Sequence, residues 1–277
     1  IDSDGDFGNV DRAILDADIP ICAVMADQQS GMFGQACFTD NSIKNTFGTA
    51  GVLTVNVGDK PREVAGLTGS VAWKVKGEVK YEVEGVVFHS GQTIQWLRDN
   101  LGIYAPANRI DQIVRSVSNN AGVYLVPALG GLAAPYWNRK ARASIQGLSL
   151  DTSSAHLVRA AVEAMAFQTL DIIEKLSEFP VEQFKVDGGA ASSNFLCQFL
   201  ADISGIRIQR PIELERTALG TAYVAGLKVG IWESLEEISN SWSAERIFEP
   251  NIKDSEREKL VNGWKDAVTK TLIGSGK

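Results

Sequence analysis

One stretch, residues 184–205, constrains the fold of this chain more than any other, because it joins three kinds of segment in a fixed order. It reads FKVDGGAASSNFLCQFLADISG: a short apolar run, two glycines, and apolar residues at helical spacing up to Gly205. We predict a strand, a loop at Gly188 and Gly189, and an amphipathic helix that starts at one of the two following serines. Such a loop presents bare backbone and the positive end of a helix dipole, which suits a phosphate group. Taken alone, an ordinary tight strand-to-helix turn is the better explanation.

The rest of the chain also alternates between strand-like and helix-like segments. The first part reads as strands: an apolar run over 20–26, a strand–turn–strand pattern over 43–57, and a meander over 70–88. Helices dominate the second half, and the best marked covers roughly 154–176. A further helix over 217–230 carries small residues, Ala218, Ala222 and Ala225 or Gly226, which would allow another backbone to approach closely.

Composition excludes several classes of function. The 277 residues include 27 Lys and Arg against 34 Asp and Glu, which gives a net charge of −7. This balance argues against nonspecific binding to nucleic acid or to an anionic membrane surface, and no apolar run is long enough to span a membrane. Three cysteines without metal-type spacing indicate reduced, buried thiols in a cytoplasmic protein. Because the chain begins with Ile1 and not with Met, we take it to be a fragment or a processed piece.

Two further features suit phosphate chemistry. The hairpin NTFGTAG, residues 45–51, can offer the Thr49 hydroxyl and backbone amides to phosphate oxygens. Asp27 ends the apolar run over 20–26 and is followed by Gln28. A carboxylate in such a place can take a proton from an attacking hydroxyl and help to hold a metal ion. A plain β-hairpin and a helix cap are the structural explanations, but three such features in one chain favour a functional interpretation.

Six segments, taken in order, resemble a known family. They are MADQQSGMFGQ, KNTFGTAG, GVVFHSGQTIQWLRD, VPALGGLAAPYW, VDGGAASSNFLCQFLADISG and TALGTAYVAGL. Together they resemble the C-terminal half of an FGGY-type carbohydrate kinase, most of all a glycerol kinase, and they span nearly the whole chain. The resemblance implies an α/β lobe of the actin/hexokinase-like ATPase (ribonuclease H-like) fold, with a mixed sheet flanked by helices. Residues 1–277 would then be the C-terminal nucleotide-binding lobe, and the N-terminal substrate lobe would be absent.

The resemblance also implies site residues. Asp27 matches the catalytic base, which also contacts the polyol, and Gln28 matches its substrate-binding neighbour; a magnesium role for Asp27 stays open. The residues that match nucleotide-binding positions are Thr49, Gly91, Gln95, Gly189 and Ser193. Ser193 stands where glycerol kinases place an asparagine near the base, and the next residue, Asn194, could supply that amide. Val52 stands where glycerol kinases carry a phenylalanine against glycerol, which predicts room for a larger acceptor.

Three functions remain open on the sequence. The leading one is phosphorylation of a hydroxyl of glycerol or a related polyol or sugar, with ATP/ADP and Mg²⁺ bound and the isolated lobe inactive. The second is a noncatalytic nucleotide switch of the same superfamily, and the third is an interaction domain without a ligand. Asp27 beside Gln28 favours transfer, since a switch has no use for a base aimed at a hydroxyl. The expected partners are the acceptor and the missing lobe, with nucleic acid and membrane excluded and a homo-oligomer left open.

Overall fold

The computed structural model describes residues 2–181 and 183–274, and it shows a mixed sheet flanked by helices. The strands are β1 Ser42–Phe47, β2 Gly51–Gly58, β3 Thr68–Val75, β4 Glu78–Val87, β5 Tyr124–Val126, β6 Ser144–Gln146, β7 Gln183–Asp187, β8 Ile208–Pro211 and β9 Ala244–Phe248. The helices are α1 Arg12–Leu15, α2 Asp27–Gly34, α3 Gly91–Asp99, α4 Ile110–Arg115, α5 Ser154–Ile173, α6 Asn194–Ser204, α7 Thr217–Val229, α8 Leu235–Ser241 and α9 Asp254–Ile273. The fold class that the resemblance implied is therefore confirmed.

Seven of these strands form one sheet in the order β3-β4-β2-β1-β7-β8-β9. The pairs β3–β4, β4–β2 and β2–β1 are antiparallel, the pairs β1–β7 and β7–β8 are parallel, and β9 is antiparallel to β8. The predicted strand patterns over 43–57 and 70–88 are confirmed. The parallel centre of the sheet was not predicted, because it joins Ser42 to Gln183, which is distant in the chain.

The two faces of the sheet differ in chemistry, because successive side chains of a strand point to opposite faces. Ile43 and Phe47 of β1 belong to the main hydrophobic core, which α5 covers. Lys44 points the other way, and its ammonium lies beside Gly31 of α2. Lys44 is buried, and so is Glu82 of β4. Buried charged side chains of this kind are uncommon, so the face of the sheet under α2 is a candidate for function.

The predicted start of α5 and both predicted ends of α6 are confirmed, and in each case the capping residue is a neighbour in the sequence. The N–H of Ser153 donates to Nδ1 of His156 at 3.1 Å at the start of α5. Ser193 caps the start of α6, and Gly205 ends that helix in the left-handed conformation, with φ of +70°. Among the described residues, no helix is both long and apolar enough to cross a membrane. The three cysteines are free thiols, of which Cys22 is partly exposed and the other two are buried.

The strand predicted over 20–26 is wrong. The segment is extended but lies outside the sheet, and Val24 is 51% exposed. Its backbone bonds go to the N-terminal residues: Ile21 N–H donates to Gly8 O at 2.7 Å, and Val24 N–H donates to Ser3 O at 3.1 Å. Since these groups are already paired, the apolar run has no need of a sheet partner.

The close approach of α7 to another helix is made by Gly220, and not by the small residues that the sequence indicated; of those, Gly226 lies against the Trp232 side chain. Ala218 and Ala222 are exposed. Gly220 instead faces α2, where an added Cβ would lie 1.8 Å from Ser30 O. A Cβ on Gly34 would lie 2.1 Å from backbone at the start of α7. The two helices are thus in backbone contact, and only glycine fits at the contact.

A buried carboxyl in α5 gives the fold a predictable pH dependence. Asp171 accepts from Trp264 Nε1 at 3.0 Å, and burial raises its pKa to about 7 from an ordinary 3.8. Because the folded state binds this proton more tightly than the unfolded state, stability falls as pH rises between those two values, by at most about 4 kcal/mol. We expect Asp171→Asn to abolish that fall. Urea unfolding of both proteins from about pH 4 to about pH 8 checks this, and an unchanged slope in the variant contradicts it.

Candidate functional site

A cavity of about 310 Å³ lies where three loops meet at one edge of the sheet. The hairpin between β1 and β2, the start of α3 and the loop between β7 and α6 contribute to its lining. It brings together five residues that the sequence indicated, namely Thr49, Gly91, Gln95, Gly189 and Ser193. Because β1 and β7 are parallel neighbours, the loops that follow them leave the sheet at the same edge.

Backbone hydrogen bonds fix the hairpin against α3. Gly91 N–H donates to Gly48 O at 3.0 Å, and Ser90 N–H donates to Thr49 O at 3.0 Å. A Cβ on Gly91 would lie 2.8 Å from Gly48 O, so glycine permits this contact. Thr49 itself is exposed, and so is Gln95, one helical turn after Gly91. The hairpin is therefore rigidly placed while the polar side chains at its rim stay accessible.

The two glycines between β7 and α6 have different roles. Gly188 has φ of +83°, and a Cβ there would lie 2.7 Å from Phe47 O, so this position requires glycine for folding. Gly189 lines the cavity, and a Cβ there would meet no atom within 4 Å. Gly189 therefore leaves open space beside bare backbone, which is the arrangement that a bound ligand can use.

Ser193 and Asn194 are engaged in holding α6. Ser193 Oγ accepts from Leu196 N–H at 3.1 Å and donates to Asp111 of α4. Asn194 Oδ1 accepts from Arg210 Nη2 at 2.9 Å. Ser193 also lines the cavity, so its part in the site combines the capping of α6 with the shape of the wall.

Sequence reasoning missed the apolar wall of the cavity. Ile110 of α4, Met165 of α5 and Leu196 of α6 line it, and Arg98 of α3 lies beside them. Each of the three apolar residues has the helical spacing of an ordinary core residue, and no local pattern joins them. A concave apolar wall with a few polar groups at its rim suits a flat heteroaromatic ring.

Asp27 and Gln28 lie apart from the lining of this cavity, in the first turn of α2. Ala26 is the extended cap and Asp27 is the first helical residue, so the predicted position of Asp27 at a strand end is wrong. The Asp27 carboxylate is exposed and accepts from Gln28 N–H at 2.8 Å. Negative charge is favoured in the first turn of a helix. An exposed carboxylate held in this way can accept a proton from a hydroxyl placed against it.

A buried lysine orients Gln28. Lys44 is 1% exposed, and its Nζ donates to Gln28 Oε1 at 2.9 Å. Because an ammonium group only donates, this bond turns the amide nitrogen of Gln28 towards Asp27 Oδ2, at 3.4 Å. Burial raises the pKa of Glu84, also close by, and the charge of Asp27 raises it further. β1 connects this region to the cavity, because the strand ends about 10 Å beyond Lys44 at the cavity hairpin.

The side chains around Asp27 do not form a complete metal site. Across residues 2–181 and 183–274, no group of three or more His, Cys, Asp or Glu side chains is placed to hold an ion. A Mg²⁺ ion beside Asp27 would therefore take most of its ligands from phosphate oxygens and water, which is how this ion is commonly bound. His89 is engaged elsewhere, since its Nε2 accepts from Gly130 N–H at 2.8 Å.

Known proteins share both the sequence and the fold of the chain. Glycerol kinase 2 of Thermotoga maritima is 45% identical over 270 residues, which are 96% of this chain and 54% of that protein. The glycerol kinase of Caldanaerobacter subterraneus is 44% identical with the same coverage. The crystal structure of Plasmodium falciparum glycerol kinase with ADP superposes with a TM-score of 0.89 at 33% identity, over 98% of this chain and 55% of that one. The chain thus spans about half the length of the curated relatives it matches.

A family assignment follows from the extent of these matches. Residues 43–229 match the model of the FGGY family of carbohydrate kinases, C-terminal domain. This segment runs from β1 to the end of α7, so it includes the cavity and Lys44 but begins after Asp27. Because the match covers more than half of the residues and agrees with the superposed fold, the chain belongs to the FGGY family of carbohydrate kinases.

Proposed function

We propose that the chain is the C-terminal, nucleotide-binding lobe of a kinase that phosphorylates a hydroxyl of glycerol or of a related polyol or sugar, with ATP as donor. The observation that carries the proposal is the cavity, which assembles all five predicted nucleotide residues, with the helix that begins at Asp27 connected to it through β1. The 45% identity to a glycerol kinase supports it. The activity is proposed for a longer protein that also carries an N-terminal lobe, because this chain spans only about half the length of its relatives.

The cavity has an apolar part and a polar part, and each would bind a different part of the nucleotide. The base would lie against the apolar wall of Ile110, Met165 and Leu196, because stacking and burial favour an aromatic ring there. The phosphates would lie towards Thr49 and the backbone beside Gly189, where hydroxyl and N–H groups can donate. The open space at Gly189 is the feature that lets a phosphate group come close to the backbone.

Asp27 would act on the acceptor. As the acceptor oxygen forms its bond to the γ-phosphorus of ATP, the bond to the bridging oxygen breaks, ADP leaves, and the Asp27 carboxylate takes the hydroxyl proton. Gln28, whose amide is oriented by Lys44, would contact the acceptor and hold that hydroxyl in line. Mg²⁺, when bound, would supply positive charge against the transferring phosphoryl group.

The proposal is tested by incubating the longer protein with ATP and a panel of glycerol, longer polyols and sugars. We expect transfer to at least one acceptor and none by this chain alone, since the acceptor and the triphosphate would be clamped between two lobes. Turnover by this chain alone would contradict the two-lobe assignment. Binding of ADP without transfer to any acceptor would instead favour the noncatalytic nucleotide switch.

The paired glycines offer a test that separates folding from binding. Gly188→Ala should lower the free energy of unfolding by about 2 kcal/mol, because its φ is strained for alanine and its Cβ meets the Phe47 backbone. Gly189→Ala should change stability by no more than about 0.5 kcal/mol, yet weaken ADP binding about tenfold by filling cavity space. Thermal unfolding and calorimetric titration with ADP measure the two effects. Unaltered ADP affinity in Gly189→Ala would place the nucleotide elsewhere.

Acceptor size provides a further prediction. Val52 lies on β2 between Thr46 of β1 and Val86 of β4, and it is 9% exposed. If Val52 forms one wall of the acceptor site, Val52→Phe should raise the preference for glycerol over a five-carbon polyol about tenfold, because the larger ring removes space. The ratio of the two kcat/KM values measures this. An unchanged ratio would assign acceptor selection to the N-terminal lobe.

A further inference from the structure

The first turn of α2 is anchored to three other elements by successive residues. Gln28 accepts from β1, as described above. Gln29 Nε2 donates to Glu82 Oε1 of β4 at 2.5 Å, and Ser30 Oγ donates to the Thr217 carbonyl of α7 at 2.5 Å. These side chains leave the helix in different directions, so together they fix both its position and its rotation about its axis.

Glu82 is the unusual member of this set. It is 0% exposed, and Ser70 Oγ of β3 donates at 2.9 Å to the oxygen that Gln29 also binds. The second oxygen, Oε2, has no hydrogen-bond partner among the described residues. Burial raises the pKa of Glu82, since removal from water disfavours the charged form. A half-satisfied buried carboxyl costs stability, and such costs are concentrated at functional sites.

We propose that Glu82 is a positioning residue that sets the Asp27 carboxylate by holding Gln29; this inference rests on the proposed function. Asp27 and Gln29 share the first turn of α2, so any rotation that follows loss of the Gln29 bond also moves Asp27. Glu82 itself is fully buried, so it does not touch acceptor or nucleotide. In the described part of the chain, Glu82 has two hydrogen-bond partners, Gln29 and Ser70. Only Gln29 shares a helical turn with Asp27, so the effect of Glu82 on turnover should pass through Gln29.

The kinetic test compares two replacements of Glu82 in the longer protein. Glu82→Ala should lower kcat about 10- to 100-fold, the effect of a displacement of about 1 Å at the base, and leave ADP affinity unchanged. Glu82→Gln keeps an oxygen that Gln29 can bind, so it should restore most of the wild-type kcat. A purely structural role would lower the unfolding midpoint of Glu82→Ala without moving the kcat of the folded protein, and that result would overturn the proposal.

A double-mutant cycle tests the path through Gln29. In a Gln29→Ala background the bond is already lost, so adding Glu82→Ala should have no further effect on kcat. Full additivity of the two substitutions would overturn the proposal. Ser70→Ala is the control: it removes the other donor to the same oxygen and the long 3.5 Å contact between Gln29 Nε2 and Ser70 Oγ, but it keeps the 2.5 Å bond from Gln29 to Glu82, so kcat should stay near the wild-type value.

Hydrogen exchange of the 277-residue chain tests the same anchor without any assay of catalysis. Glu82→Ala should speed exchange of the amides of residues 30–33, the first that bond within α2, about fivefold or more and leave those of the Thr49 hairpin unchanged. Unchanged exchange over 30–33 would overturn the proposal. If exchange quickens but the longer protein phosphorylates no acceptor, the proposed function fails while the anchoring of α2 by Glu82 stands.

Discussion

Replacement of Asp27 by asparagine, in the proposed longer kinase, is expected to lower kcat by about 10²- to 10⁴-fold. The amide has the shape of the carboxylate and can still accept from Gln28 N–H, so the first turn of α2 should persist. It cannot, however, take the proton of the acceptor hydroxyl. Steady-state kinetics at saturating ATP measures the effect, and near-normal turnover would contradict the role of Asp27 as base.

The affinity for nucleotide provides the control for this prediction. None of the residues that line the cavity belongs to the first turn of α2, so Asp27→Asn should leave ADP affinity nearly unchanged. ADP titrations with and without Mg²⁺ distinguish a base from a metal ligand. If Asp27 also held the ion, the variant would lose affinity for ADP only when Mg²⁺ is present.

Gly220→Ala is expected to lower the free energy of unfolding by about 3 kcal/mol or more and to lower turnover as well. The added Cβ would lie 1.8 Å from Ser30 O and 2.8 Å from Gly34 N, both of which are backbone atoms that no rotamer change can move. The helices must then separate, which costs packing on both sides. Because α2 begins with Asp27, the same displacement moves the proposed base.

The control for Gly220→Ala lies on the exposed face of the same helix. Replacement of glycine by alanine inside a helix ordinarily stabilises it by about 1 kcal/mol, so a large loss at Gly220 would report the contact and not helix propensity. Ala222→Gly should cost no more than that amount, because Ala222 is exposed. Urea unfolding of both variants gives the comparison. A Gly220→Ala protein as stable as the wild type would show that the helices do not meet at this position.

Local patterns predicted the elements of this fold well, and long-range pairing explains most of what they did not predict. The helix α6 was recognised because its cap and its terminal Gly205 are encoded next to it. The strand prediction over 20–26 is wrong because an apolar composition does not show whether a partner strand is present. The contact between α7 and α2 was assigned to the wrong residues, because the sequence of α7 alone does not show which of its faces lies against another helix.

The candidate site divides in the same way. Resemblance to a family supplied the residues from Thr49 to Ser193, and the structure brings them to one cavity. The buried charges of Lys44 and Glu82 were not recognised, because a lysine or glutamate in an alternating strand reads as solvent-exposed. Only the register of β1 and β4, and the position of α2 above them, shows that these side chains are enclosed.

Strand β1 has a consequence for motion. It contacts α2 through Lys44 and continues directly into the Thr49 hairpin, and it is hydrogen-bonded on both sides, to β2 and to β7. A strand that is hydrogen-bonded along both edges does not bend easily. The proposed acceptor site at Asp27 and the proposed nucleotide site at the Thr49 hairpin should therefore move together as one rigid body. In the proposed two-lobe kinase, a change in the distance between acceptor and nucleotide should therefore come from movement of the N-terminal lobe against this one, because β1 fixes the distance between the two sites on this lobe.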